Sequence, residues 1–321
     1  MHILDGYKKQ LILLLDLLPD IAGEKNFAMH GGTAINLFHL DFPRISVDMD
    51  LTYIPFSDNR NIDLYNIRSS LESIKQRIRD RRSDIYFQDE TRASEHLKLY
   101  CVIPPDIKVK IEVNQINRGL IAKPVEIGLC DQAKQFANCP AFNVTTVGTG
   151  QLWGGKINAA LDRQHPRDLF DAKNLLNSRG LTDEIKKGFI FYMLCGKRPF
   201  HELLNPHPID QRSIFHIQFH GMSNMPFTYD EFDTTRNLLV STIHKSLTNR
   251  DKDFILAFAK GEPKWDMADY GMYPAIKWKL LNIRNLKQNN YPKFAEQVNN
   301  LEKALNVSRT VNKDSNFNVG M

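Results

Sequence analysis

The chain has 321 residues, 42% hydrophobic and 25% charged, a balance that supports ordinary cores and excludes bulk disorder. Its formal net charge of +5 permits a polyanionic partner without requiring one. No stretch approaches the roughly 20 apolar residues that cross a bilayer. No membrane partner is therefore expected. The four cysteines, Cys101, Cys130, Cys139 and Cys195, form no C-x-x-C pair and no zinc spacing, so a reduced, cytoplasmic protein is expected.

The first predicted helix covers residues 5–18. Its leucine run follows Lys8-Lys9, but Asp16 interrupts it, so it reads as an amphipathic core helix and not as a leader. His30-Gly31-Gly32-Thr33 then opens a short helix over residues 34–40. A strand is predicted over residues 45–53, because Val47, Met49, Leu51 and Tyr53 alternate with Ser46, Asp48, Asp50 and Thr52. A polar helix over residues 62–82 ends in the basic cluster Arg77, Arg79, Arg81 and Arg82. That cluster reads as a solvated helix end, or as a phosphate track if the partner is RNA.

Three strands follow, over residues 84–88, 96–103 and 107–116, and Pro104-Pro105-Asp106 turns the last two into a hairpin. In the third, Ile107, Val109, Ile111 and Val113 face one way, and Lys108, Lys110, Glu112 and Asn114 the other. Beyond Gly148-Thr149-Gly150 the pattern turns helical, with helices predicted over 151–163, 166–178, 183–197, 229–247, 250–260 and 292–305. Pro166 suits a first helical position, Gly180 and Gly261 suit helix stops, and Thr228-x-x-Glu231 is a capping box. The expected organisation is α+β: a mixed-sheet core with flanking helices over residues 1–148, an all-helical domain over 149–306, and a flexible tail over 307–321.

The chemistry concentrates in the first half. Asp48 and Asp50 lie on one strand face, about 6–7 Å apart along the chain. Carboxylates that close repel each other unless a cation lies between them. Oxygen ligands of this kind suit Mg²⁺ (or Mn²⁺). A Gly-Gly-Thr turn opening a helix brings backbone N–H groups close to an anion. Gly31, Gly32 and Thr33 are thus candidates for binding an anion, which the resemblance given below makes the phosphates of an NTP. Glu112 is either a third metal-binding acid or an exposed strand residue paired with Lys108 or Lys110. His30 reads as a structural histidine beside the turn, and Tyr53 and Trp153 as core.

The string from Gly31 to Ala34, followed by Arg44-Ile45-Ser46-Val47-Asp48-Met49-Asp50-Leu51, closely resembles the opening signature of the AbiEii/AbiGii-type nucleotidyltransferases. These are toxins of type IV toxin–antitoxin systems within the DNA-polymerase-β-like superfamily. Lys110-Ile111-Glu112-Val113 resembles the family's later strand with its third acid. Lys156 with Ala159, Ala160 and Arg163 resembles its helical lysine motif, Arg167-Asp168-Leu169-Phe170-Asp171 its Asp-x-x-Asp motif, and residues 274–283 its C-terminal segment.

The resemblance implies a nucleotidyltransferase-fold core and transfer of a nucleoside monophosphate from an NTP to an acceptor hydroxyl, with release of pyrophosphate. It implies metal binding by Asp48, Asp50 and Glu112, and phosphate contacts from Lys156 and Arg163. Asp168 would orient or deprotonate the acceptor, and Asp171 would face the nucleotide. As first-turn residues, Asp168 and Asp171 equally suit stabilisation by the helix dipole. The implied acceptor is RNA, in some relatives the tRNA 3′ end. The implied antitoxin is encoded next door and acts as a repressor, with no direct complex expected. Modification of a protein (AMPylation) or a small molecule, and a non-catalytic NTP- or RNA-binding module on the same fold, remain alternatives.

Overall fold

The computed structural model describes residues 4–89, 97–137, 142–266 and 268–306. Helix α1 (Asp5–Ala22) buries Leu11, Leu14, Leu15, Leu18 and Ile21, which recur at helical spacing and give it one apolar stripe against the sheet. Strand β1 (Phe27–His30) runs directly into α2 (Gly31–Ala34), which widens into a π-helical turn over Ile35–His39. Strand β2 (Asp48–Tyr53) leads to α3 (Arg60–Arg81), whose N-cap Asn59 accepts the N–H groups of Asn61 and Ile62. Then come β3 (Tyr86–Asp89), β4 (Lys98–Ile103), β5 (Ile107–Asn114), β6 (Val125–Gly128), α4 (Asp131–Ala137) and β7 (Asn143–Thr146).

The seven strands form one mixed sheet in the order β3-β4-β5-β2-β1-β7-β6. β2 runs parallel to β5 and antiparallel to β1, and β1 runs parallel to β7. The β4–β5 hairpin is present. The predicted alternation holds where chemistry needs it. Met49, Leu51 and Tyr53 of β2, with Val109, Ile111 and Val113 of β5, are buried, while Asp48, Asp50, Lys110 and Glu112 are only partly covered.

Several boundaries differ from the sequence reading, each for a local reason. The strand begins at Asp48 rather than at residue 45, because the preceding stretch pairs elsewhere. Arg44 bridges to Ser223, and the Ile45 N–H donates to the Met222 carbonyl. The strand expected to reach residue 116 ends at Asn114, whose side-chain oxygen accepts the N–H groups of Ile116 and Asn117 in a turn. The short strands β1, β6 and β7 and helix α4 carry too few residues for a periodic signal. The basic cluster is not a free track: Arg77, Arg81 and Arg82 pair with Glu24, Asp16, Asp20 and Asp84, tying α3 to α1, and Arg79 lies over the Phe87 ring. His96 of the predicted strand, Cys139 and the tail over 307–321 lie outside the described residues.

The helical half follows Gly148 as α5 (Thr149–Arg163), α6 (Pro166–Ser178), α7 (Asp183–Cys195), α8 (Phe200–Leu204), α9 (Arg212–Gln218), α10 (Tyr229–Ser246), α11 (Asn249–Ala259), α12 (Pro274–Asn289) and α13 (Tyr291–Ala304). Pro166 occupies the first turn of α6, Gly180 and Gly261 take positive φ, and the Thr228–Glu231 capping box is formed. Helices α5 and α7 cross backbone to backbone. A Cβ on Gly154 would stand 2.2 Å from the carbonyl carbon of Gly188, so only glycine permits this approach. Buried apolar side chains of both halves form one continuous core.

Candidate active site

The sheet presents acids where β2 and β5 lie side by side, with Asp48 opposite Lys110 and Asp50 opposite Glu112. On the other flank Asp50 is registered with His30 of β1. The Gly-Gly-Thr turn therefore sits directly above the second aspartate. Gly31 has φ +73°, and a Cβ there would lie 2.3 Å from the Asp50 carboxylate. Glycine is thus required twice, by the backbone conformation and by the close approach. Gly32 sits against the Arg44 guanidinium and the Ser46 hydroxyl. The Thr33 hydroxyl is engaged: it donates to the backbone carbonyl of Asp48 and fastens the turn to the strand. Thr33 therefore shapes the turn with its hydroxyl instead of presenting it to a phosphate.

The Asp50 carboxylate makes no ion pair and no side-chain hydrogen bond among the described residues. Burial raises its pKa, with neighbouring Asp48 and Glu112 adding to the rise and Lys110 partly offsetting it. Glu112 is differently placed. Its carboxylate is held by Lys110 at 2.8 Å and Lys98 at 3.2 Å. Burial pushes its pKa up, but these two ammonium groups outweigh burial and leave it below the ordinary range. Among the described residues no three acid, histidine or cysteine side chains converge as a ready metal cage. Asp48 and Asp50 share one face, whereas Glu112 is drawn to its lysines. An unpaired carboxylate whose charged form is penalised is still a fitting place for a divalent cation.

Facing this strand is a buried ionic network from α5 and α6. Lys156 lies 2.7 Å from Asp168 and 3.0 Å from Asp171, and both aspartates are enclosed. Arg163 reaches the other Asp168 oxygen at 2.6 Å. Arg44 grips both oxygens of Asp171, with Nε at 2.8 Å and Nη2 at 2.5 Å, and Asn36 adds a bond at 3.1 Å. Burial alone would raise both aspartates. Lys156 and Arg163 hold Asp168 well below the usual carboxylate range, and Arg44 and Lys156 do the same for Asp171. Both Asp168 oxygens are thus engaged, one by Lys156 and one by Arg163, an arrangement that favours the charged carboxylate over proton uptake. Asp171 has no exposed surface and is held between Arg44 and Lys156.

Two arginines at the end of α5 and the start of α6 keep some exposed surface. The Arg163 side chain is 60% exposed while holding Asp168. The Arg167 guanidinium has no partner among the described residues. Burial and the charge of Arg44 lower its pKa, and nearby Asp48 and Asp168 act against that. His30 stacks on Tyr192 at 5.6 Å and lies 3.4 Å from its hydroxyl. Burial and Lys156 push its pKa down to about 4, so the imidazole is neutral. Tyr53 and Trp153 are core residues. Sequence reasoning missed Arg44 and Asn36 as anchors of Asp171: Arg44 entered only as part of the opening signature, and the two lie 127 and 135 residues before Asp171.

A Gly-Gly turn over paired strand acids, closed by a cationic helix pair, defines the nucleotidyltransferase class. The family model described as "Nucleotidyl transferase AbiEii toxin, Type IV TA system" matches residues 12–280, and the chain belongs to that family. Among solved structures it is similar to MenT4, a nucleotidyltransferase toxin from Mycobacterium tuberculosis H37Rv, at 14% identity and a TM-score of 0.55, over 85% of this chain and 93% of that one. At that identity the likeness is one of fold. No curated protein matches the sequence. No helix is long and apolar enough to cross a membrane among the described residues.

Proposed function

We propose that this nucleotidyltransferase is Mg²⁺-dependent (or Mn²⁺-dependent) and moves a nucleoside monophosphate from an NTP to a hydroxyl of RNA, with the tRNA 3′ end as the leading acceptor. The observation that carries the reading is the unpaired Asp50 carboxylate under Gly31, beside Asp48 and opposite cations that have charge to spare. Asp48 and Asp50 would hold the cation, with Glu112 joining if it leaves its lysines. The cation, when bound, supplies positive charge to the phosphates and to the attacking oxygen.

The chain's own residues would do the rest. The N–H groups of the Gly31-Gly32 turn, with Arg163 and Arg167, bind the triphosphate and hold the pyrophosphate as it leaves. Lys156 fixes Asp168 and Asp171 and adds positive charge behind the cleft. The acceptor oxygen forms a bond to the α-phosphorus, the bond to pyrophosphate breaks, and the hydroxyl proton passes to solvent or to an acid of the β2 face. The helices over 149–306 close the cleft made by residues 1–148. The antitoxin would be encoded next door without forming a direct complex, and the reaction would run in the cytoplasm, where NTP and RNA meet.

The test is to incubate the protein with Mg²⁺, each α-labelled NTP in turn, and total RNA or cell extract. Label on RNA that disappears in Asp50→Ala, with folding intact, is expected. Label on protein instead would replace the RNA reading with AMPylation. Retained labelling by Asp50→Ala would overturn the site.

A further inference from the structure

Beyond the C-terminal ends of β2 and β5 lies a second concavity of about 960 Å³, bounded by the 57–60 loop, residues 115–118 and helices α8, α12 and α13. It contains none of the acids described above. From Asp50 to the end of β2 the strand advances about 10 Å, and the cavity wall begins only beyond it, at Ser57. A group bound here is therefore separated from the paired acids by the length of the strand end.

We infer that this groove binds single-stranded RNA, seating a part of the acceptor away from its reacting hydroxyl; the choice of occupant rests on the RNA reading above. Charge is the first argument. Arg60, Lys197 and Lys293 line the groove, and none has an ion-pair partner among the described residues. The one acid among the described lining residues is Asp58, and Lys277 neutralises it at 2.6 Å. The groove therefore carries uncompensated positive charge.

The second argument is a platform. Trp278 lines the same groove and is 49% exposed, although the floor offers Phe200, Phe294 and Leu301 as apolar cover. A half-exposed indole among unpaired cations is the pairing that non-sequence-specific RNA grooves use: the base stacks, and the phosphates meet Lys and Arg. His201 lines the same groove beside these residues, which adds a second ring at its wall. An apolar peptide would fill the floor but leave three cations unmatched.

The experiment measures binding of a short fluorescein-labelled oligoribonucleotide to the full chain without NTP, by anisotropy across a salt series, together with NTP affinity and labelling of RNA. Trp278→Ala should weaken RNA binding by roughly tenfold, and Trp278→Phe should restore most of it. Lys197→Gln with Lys293→Gln should reduce the salt slope by about 1.4. NTP affinity should not move, and labelling should show a raised KM for RNA with kcat kept. If wild type labels RNA and these variants bind it as tightly as wild type, the groove inference falls alone. If wild type labels no RNA while binding still depends on Trp278, the acceptor reading falls and the RNA groove stands. Displacement of the oligoribonucleotide by polyglutamate with no dependence on Trp278 would assign the groove to an acidic protein segment and overturn it.

Discussion

The aspartates of the sheet and those of the helical half are treated in opposite ways by this fold. On the sheet, Asp50 is partly covered and has no partner, so its charged form is penalised and its pKa rises. In the helical half, Asp168 and Asp171 are buried completely, yet cations on two sides keep them charged and their pKa values low. The difference teaches that burial alone does not mark a reactive acid. What marks it is burial without compensation, which leaves room for a charge that arrives with the ligand. The helical pair is compensated by its cations, and the sheet acid is left uncompensated.

Asp50→Asn should break this contrast most visibly. Activity is expected to fall by roughly three orders of magnitude or more, while thermal stability at neutral pH stays level or rises, because an uncompensated charge has been removed. A clear drop in melting temperature would show that Asp50 is a structural partner after all.

Asp171→Asn should do the reverse, destabilising the protein by about 3–5 kcal/mol through a stranded Arg44 and Lys156. Replacing Arg44 and Asp171 together by Met and Leu should recover part of that loss in a denaturant melt, and no recovery would argue against the buried pair as the cause.

The pH dependence of stability has a sign for each set. Asp168 and Asp171 have lowered folded values, so their contribution is present above the ordinary carboxylate value near 4 and is lost as pH falls through the folded values. Asp50 has a raised folded value, so its cost exists above that value and is relieved as pH falls. Acid melts should therefore steepen below about pH 4. Asp171→Asn should flatten them, and Asp50→Asn should not.

The smallest effect concerns ligand reach. Arg167→Gln should raise the NTP KM about tenfold, the value of one or two charge-assisted hydrogen bonds, with the melting temperature nearly unmoved because the guanidinium has no protein partner. A large loss of stability would place Arg167 in the structural set instead.

Much of the fold was legible in the chain itself. Alternation through Met49, Leu51 and Tyr53 and through Val109, Ile111 and Val113 gave the two central strands, because a half-covered sheet face selects a period of two. Punctuation at Pro166, Thr228 and Gly180 located helix ends, because caps and positive φ are local requirements. Strands β1, β6 and β7 were illegible: four residues each are too few to show a period of their own.

The chain itself set the turn at Gly31-Gly32-Thr33 and the shared face of Asp48 and Asp50, since backbone conformation and strand pleat are fixed within a few residues, and its motifs in order resembled the family that the family model matches. Only the tertiary structure decided which acids are free. The parallel register of β2 with β5 brings Glu112 beside Asp50, yet Lys98 and Lys110 hold its carboxylate. Helix α6 meets α5 and the 44–46 loop so that Lys156, Arg163 and Arg44 enclose Asp168 and Asp171. Ionisation depends on charges and burial gathered from distant parts of the chain, and no sequence window contains them.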